Sequence, residues 1–592
     1  MLHCKRIAIV LVGLVAAAGC SSKTPAPAAE ARGGAADALR KLADEYFDQV
    51  YFHYAPSNGT LEGFHQYDAQ LEDFSRAAVD RETADQKRFE GRFDAIPADQ
   101  LDLTSQGDLE LLLGNIHSRL LSLNTIRLWE KDPDQYSSGI SNSAFVLMER
   151  KFASPDDRLR SLVAREKLMP AALDAARENL KNPPRIYTEI ALEQLPDIIS
   201  FFQSDVPAAF KEAANEQLKA EFSQSNNAVI AALRSYQSWL RKDVLPRSHG
   251  DFRFGAETYS KLLLYDEMVD TPLPRLLQIG YADLHQNQLE FNRIAREVDP
   301  HRTAREVLAE LGRDHPAPDH LLQSFSQTFQ GLIQFIQEKH IVDIPSPVRP
   351  TLENTPPFMR ATTTASMDTP GPFEKVSTEA FFNVTVPDPH AAAQQTEQLM
   401  AQFNRGTIIS TAIHEAYPGH YVQFLWVPQA PSKVRKLLGA STNDEGWAHY
   451  CEQMMLDQGY GQPGTGARDA RDAKMIRLGQ LQDALLRDAR FIVGIQMHTG
   501  GMTFDQAVKF FVDEGYETHA GGLVETKRGT TDATYLYYTL GKLQILKLRA
   551  DLEKKEGAQF SLRQFHDDFL KQGFPPIKIV RRALLGDTSP TL

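Results

Sequence analysis

Gly406-Thr-Ile-Ile-Ser-Thr-Ala-Ile-His-Glu-Ala416 is the stretch that decides the fold class of this 592-residue chain. Ile409, Ala412, Ile413 and Ala416 recur at three- and four-residue steps, the period of one helical face, so the segment reads as a buried helix. A buried helix needs other helices around it, and the flanking sequence supplies them. Leu39, Leu42, Ala43, Tyr46, Phe47 and Val50 repeat at the same steps, as do Leu109, Leu112, Leu113, Ile116 and Leu120, and helical patterns continue to about residue 240. Thr503-Phe-Asp-Gln506 and Ser561-Leu-Arg-Gln564 have the spacing of capping boxes that open further helices. One stretch breaks the pattern. Ala380-Phe-Phe-Asn-Val-Thr-Val386 is aromatic and β-branched and is stopped by Pro387, so it reads as a strand; a sheet edge, where it could bind an extended peptide by strand addition, is one place for it, and an ordinary core strand is the favoured one. The expected architecture is mainly α, a multi-helix scaffold with a small β element.

A His-Glu pair at the end of an apolar helix is unusual. Zinc hydrolases of the H-E-x-x-H type place two histidines one turn apart as ligands, with the glutamate between them acting on a metal-bound water. Here the string is His414-Glu-Ala-Tyr-Pro-Gly-His420, with Pro418 where the second histidine would stand. Six residues along a straight helix turn a side chain well off the first one's face. Pro418-Gly419 can interrupt the helix, because proline removes a backbone donor and glycine accepts unusual torsions, and the two histidines can then converge.

Asn443-Asp-Glu-Gly-Trp-Ala-His-Tyr-Cys-Glu452 supplies the remaining candidates. Asn443 reads as an N-cap, and Trp447, Ala448, Cys451, Met454 and Met455 form the apolar stripe of the helix that follows. Glu445, His449 and Glu452 share the opposite stripe. Glu445 and His449 lie one turn apart, and either can be a third ligand; a place in the first turn would suit a carboxylate, and a deeper histidine would orient a ligand or the substrate.

Three strings, HEAYPGH at 414–420, EGWAHYCEQ at 445–453 and TYLYYTLG at 534–541 followed by KLQI, resemble the bacterial DUF885 family, distant relatives of the gluzincin metallopeptidases. The resemblance implies a zincin-like helix pair in which His414, His420 and Glu445 bind Zn2+ and Glu415 is the general base. Relatives often carry a second histidine after the one matching His420; this chain has Tyr421. Tyr538 best matches the position of an oxyanion donor, with Tyr535 and Tyr537 as alternatives. Hydrolysis of peptide bonds is the implied activity. A lipoprotein that keeps the fold as a binding or assembly factor without turnover, and a zinc amidase acting on cell-wall fragments, are the rival readings. Arg487, Arg490 and His498 are weaker candidates for substrate contact.

The rest of the sequence bounds these readings. A formal charge of −13 and the lack of a basic block in the body argue against nucleic acid as a partner. Gly459-Tyr-Gly-Gln-Pro-Gly464 fits G-x-G-x-x-G, yet it follows a helix and contains Pro463, so it reads as a loop instead of a dinucleotide site. Cys4, Cys20 and Cys451 are too few and too far apart in role to form a disulfide framework. Met1 to Cys20 reads as a secretory signal, and Ala17-Ala-Gly-Cys20 resembles a bacterial lipobox that would place a lipid on Cys20. A flexible tether is expected over 21–36, an N-terminal helical region over 37–245 and a catalytic region over 246–592. The expected location is the cell envelope, lipid-anchored at the outer membrane and facing the periplasm, with a peptide substrate.

Overall fold

Apolar residues at helical spacing become helices along most of the chain. The computed structural model describes residues 27–355, 360 and 363–592; the signal segment, Cys20 and residues 21–26 of the expected tether lie outside them. Helix α1 (Pro27–Tyr46) begins inside the stretch expected to be a tether, and buries Leu39, Leu42, Ala43 and Tyr46. Helix α2 (Leu103–Leu121) buries Leu109, Leu112 and Ile116, and Asp102 caps it by accepting from the Ser105 amide at 2.8 Å.

Residues from Tyr136 to Val244 gather into a core of their own. The core around α1 and α2 also takes in Val434, Leu437, Leu438 and Ile579, so helices from both sides of residue 245 share one interior.

Two long helices, α3 (Leu273–Val298) and α4 (Leu321–Lys339), precede a three-stranded sheet. Its strands are β1 (Thr351–Asn354), β2 (Ala365–Asp368) and β3 (Phe381–Val384), in the order β1-β3-β2. β3 pairs parallel with β1, Thr351 opposite Phe381, and antiparallel with β2, Ala365 opposite Val384. The strand read from the sequence is therefore the central one, a core strand and not an edge. Phe382 and Val384 are fully buried, and the Phe382 ring packs 5.1 Å from Phe325 and 5.1 Å from Phe329 of α4. Both edges of β3 are used, so it has no room to add a peptide strand, and Pro387 lies beyond its last paired residue. The edge nearer the candidate site belongs to β2, whose Met367 amide donates to Glu415.

Six helices then frame the candidate site: α5 (Arg405–Glu415), α6 (His420–Trp426), α7 (Ser441–Asp457), α8 (Ala470–Thr499), α9 (His519–Thr531) and α10 (Tyr537–Glu556). α5 crosses α8, and α7 crosses α10, where glycines face each other. A Cβ on Gly406 would sit 3.0 Å from Gly479 Cα. One on Gly541 would sit 2.0 Å from the Thr442 carbonyl oxygen and 2.7 Å from Gly446 Cα. At both crossings backbone meets backbone with no side chain between them. The Thr503 capping box forms, and Ser561 accepts from the Gln564 amide at 3.3 Å.

Candidate metal centre

α5 carries His414 and Glu415 at its C-terminal end, and α6 starts on His420. The chain reverses between them through Ala416–Gly419, with a cis peptide at Tyr417-Pro418. Gly419 is required by the tightness of this turn, since a Cβ there would lie 1.8 Å from the His414 carbonyl oxygen. Trp447 pins the turn from α7, its indole N–H donating to the Pro418 carbonyl at 2.9 Å. The interruption brings the two imidazoles to 4.8 Å between centroids, 87° apart in plane.

Glu445 reaches them from α7. Its Oε2 lies 3.2 Å from His414 Nε2 and 3.3 Å from His420 Nε2. Donor atoms of His414, Glu415 and His420 also fall within 4.8 Å of one another, so two carboxylates border the same small volume. They differ in tethering. Glu415 Oε2 already accepts from the Met367 amide at 3.1 Å, whereas Glu445 Oε2 is buried without a well-aligned donor. His449 is fully buried, and its Nδ1 is turned to Glu452 Oε2 at 3.1 Å instead of joining the group.

The imidazole nitrogens that face away from this point also meet carboxylates. His414 Nδ1 lies 2.7 Å from Glu452 Oε1, and His420 Nδ1 lies 2.9 Å from Asp444 Oδ1. Arg487 of α8 stands 3.1 Å from Glu452 Oε1. Carboxylates in these positions fix the ring orientation and tautomer of ligating histidines. Glu452 was legible only as part of a polar stripe, and Asp444 carried no separate signal beyond its place beside Glu445.

Charge in the centre follows from these contacts. Burial disfavours the charged form of both histidines, but Glu445 and Glu452 beside His414, and Asp444 and Glu445 beside His420, outweigh it and raise both above the ordinary imidazole value. Burial pushes Glu415 up, with the two histidines partly offsetting it. For Glu445 burial is overcome by the two histidines, which hold it well below the usual carboxylate range.

Two details depart from expectation. Asn443 is not the N-cap of α7, which starts at Ser441 after Ala440. The free amides of the first turn are instead met by the buried Glu267 carboxylate, which accepts from Ser441 N at 3.1 Å, Thr442 N at 2.9 Å and Thr442 Oγ1 at 2.6 Å. Asn443 is buried and ties α7 to its neighbours, accepting from Gln423 at 2.9 Å and donating to the Pro575 carbonyl at 2.6 Å. Glu445 accordingly sits one turn into the helix and not in its first turn.

Of the three tyrosines, Tyr538 packs on the centre, its ring 6.4 Å from that of His414 at an angle of 29°. Its hydroxyl accepts from Arg528 Nη2 at 3.1 Å. Tyr537 donates to Asp532 at 2.9 Å, and Tyr535 is fully buried against Gly529. His498 lies away from the site among Phe252, Phe254 and Tyr259, its Nε2 2.8 Å from the Gly529 carbonyl.

Comparison with known proteins bears on this arrangement. The family described as "Bacterial protein of unknown function (DUF885)" matches residues 56–584. The chain belongs to the DUF885 family. A candidate lipoprotein of unknown function from Shewanella oneidensis is similar to this DUF885 chain over its known structure: TM-score 0.77, 26% identity, covering 92% of this chain and 99% of that one. A candidate lipoprotein from Colwellia psychrerythraea shares the fold, with TM-score 0.77, 17% identity, and coverage of 94% and 99%. None of the curated proteins matches.

Proposed function

We propose that this DUF885 protein is a zinc-dependent hydrolase of peptide bonds that works in the bacterial cell envelope. The observation that carries the reading is the convergence of His414 Nε2 and His420 Nε2 on Glu445 Oε2 at 3.2 and 3.3 Å, with the Glu415 carboxylate at the same point. Four ligands held tetrahedrally at about 2.0–2.1 Å from zinc stand roughly 3.3 Å apart, which is the spacing of Glu445 Oε2 from each imidazole. Two imidazoles and a carboxylate are a set that zinc accepts in hydrolytic sites. Glu445 Oε2, buried and without a well-aligned donor, gains a partner when a cation is present.

Zinc bound there supplies a Lewis acid and a water acidic enough to ionise near neutral pH. The protein's own groups do the rest. Glu452 holds His414 in orientation by a hydrogen bond, and Asp444 faces His420 as its counter-charge. Glu415, anchored through one oxygen to Met367, takes the proton of the attacking water on its carboxylate and returns it to the departing amine. Tyr538 donates its hydroxyl proton to the developing oxyanion, while Arg528 fills the lone pair on its other side. An intact Glu415 supports turnover over a purely binding role, since a binder needs no base at this position.

The lipobox at Cys20 and the candidate lipoproteins among the similar structures support a lipid anchor in the cell envelope; the outer membrane, with the body facing the periplasm, is the placement proposed. Metal analysis of purified variants and mass spectrometry of a digested peptide library test the reading. The wild-type chain is expected to hold one zinc and cut peptides, Glu415→Gln to keep zinc without cutting, and Glu445→Ala to lose zinc on dialysis while His449→Ala retains it. Zinc kept by Glu445→Ala and lost by His449→Ala would exchange their roles, and library peptides left intact by the zinc-loaded wild type would refute the hydrolase.

A further inference from the structure

A cavity of about 410 Å³ lies among residues 50 to 135, in the N-terminal helices, and takes no residue from the six helices that frame the candidate metal centre. Its size falls in the range of small-molecule pockets, roughly 300–1,000 Å³. Of the four π-helical turns among the described residues, two border it: Phe47–Tyr51 supplies Val50 and Tyr51, and Ser122–Ile126 supplies Ser122 and Leu123. Such turns break the regular ladder of helical hydrogen bonds and recur at functional sites. The half-buried rings of Tyr51, Tyr54 and Phe74 line the cavity, together with buried Trp129.

The charged groups in the lining are already paired within the protein. Glu82 accepts a fork from Arg119 at 2.5 and 2.8 Å, Glu72 accepts from the Ser57 amide and hydroxyl at 3.0 Å each, and Asp73 accepts from the Ser75 amide at 2.9 Å and from Arg81 at 3.0 Å. The guanidiniums of Arg76 and Arg127 stand 4.9 and 5.2 Å from the centroid of the Trp129 ring. An organic cation would therefore meet a ring that already faces two like charges, and an anion would meet three carboxylates against a single arginine.

The neutral polar groups are in the opposite condition. The side chains of Asn58, Ser122 and Gln135 and the hydroxyl of Tyr51 line the cavity without a hydrogen bond to any described residue. Asn115 and Gln86 engage only their side-chain carbonyl oxygens, which face the Tyr46 hydroxyl at 2.8 and 3.2 Å. Amides and hydroxyls both donate and accept, so they match a partner that does the same. A ring bearing hydroxyls around its rim and C–H groups on its faces meets this lining with no charge to desolvate, the faces lying on the aromatic side chains.

We propose that this cavity is a binding site for a neutral saccharide, held on the rings of Tyr51, Tyr54 and Phe74 and oriented by the amides of Asn58, Asn115 and Gln135. The rings supply contact area and the amides fix which way the sugar lies. The site is separate from the metal centre and does not depend on what that centre hydrolyses. Plain and N-acetylated sugars share this chemistry, and separate titrations tell them apart.

The full chain is titrated by calorimetry with cellobiose, N,N′-diacetylchitobiose, spermidine and glucose 6-phosphate. At least one of the two neutral disaccharides is expected to bind with a Kd of about 1 mM or below, and about tenfold or more tighter than the cation and the anion. Tighter binding of cellobiose points to a plain glycan as the ligand, and tighter binding of diacetylchitobiose to an N-acetylated one. Asn58→Ala combined with Gln135→Ala, two exposed side chains that bond nothing in the protein, is expected to weaken the sugar about tenfold. Ser122→Phe, which fills the cavity, is expected to abolish binding; should it fold poorly, the double alanine variant carries the test alone. Neither disaccharide binding, spermidine or glucose 6-phosphate binding more tightly than both, or an affinity unchanged in the double variant overturns the proposal. Sugar binding that disappears when EDTA strips the protein of metal places the sugar at the metal centre and overturns it as well.

Discussion

Replacing Glu452 by glutamine is the sharpest perturbation of the centre that leaves every proposed ligand in place. The side chain is fully buried, and its two oxygens face three donors: His414 Nδ1 at 2.7 Å, His449 Nδ1 at 3.1 Å and Arg487 at 3.1 Å. Glutamine offers one acceptor oxygen and an NH2 group that must point at a donor. One imidazole N–H is then left unpaired, at about 1–3 kcal/mol, and Arg487 loses its counter-charge in a buried place, where breaking a pair costs about 3–5 kcal/mol. The two overlap, so a loss of about 3–5 kcal/mol in unfolding free energy is expected from urea titration. Zinc affinity should fall about 10- to 100-fold, because His414 is no longer held in orientation. Competition against a chromophoric chelator measures this, on protein whose circular dichroism matches wild type. A variant that binds zinc within twofold of wild type would refute the assignment of Glu452 as the group that orients His414.

Tyr538→Phe should lower kcat roughly tenfold to a thousandfold and change KM far less, since an oxyanion donor acts in the transition state; steady-state kinetics on a cleaved library peptide decides it. Zinc binding should weaken as pH falls. His414 and His420 are raised above 6.5 in the metal-free protein, so protons compete from above that pH downward, with a slope approaching about a hundredfold per pH unit while both titrate; affinity constant between pH 8 and 6 would contradict the raised histidines. Gly541→Ala should destabilise the fold by about 3 kcal/mol or more, because the new methyl falls 2.0 Å from the Thr442 carbonyl; a loss under about 1 kcal/mol in urea would mean that the crossing yields. Cys20→Ser should move the protein from the membrane to the soluble fraction, and a variant still membrane-bound after a salt wash speaks against a lipid anchor; among the described residues no helix is long and apolar enough to span a bilayer.

Periodicity made α5 legible, and a proline-glycine step made its interruption legible, because both are local properties of the chain. The meeting of His414 with His420 followed from them. What stayed hidden depended on partners distant in sequence. α7 is covered on both faces, so of its polar stripe His449 and Glu452 are fully buried and Glu445 is partly so. Its start was misplaced at Asn443 because the group that satisfies its first amides, Glu267, belongs to a helix more than 170 residues earlier. The sequence of β3 left edge and core both open because its partners, four residues each, carry little strand signal of their own, and the number of neighbours a strand acquires is written in them.

The glycine crossings have a consequence for how such a protein can change. A side chain wedged between two helices is an adjustable spacer: exchange it, and the helix axes shift. At Gly406 against Gly479, and at Gly446 against Gly541, the spacer has no length, so the separation of α5 from α8 and of α7 from α10 is set by the thickness of the main chain itself. His414 and Glu415 ride on one of those crossings and Glu445 on the other. If the proposed hydrolase reading holds, residues around the centre can be exchanged to admit a new substrate while the distances among these three groups stay as they were. Chemistry and selectivity become separately heritable, the first fixed by four positions without side chains, the second free to drift on the walls around them.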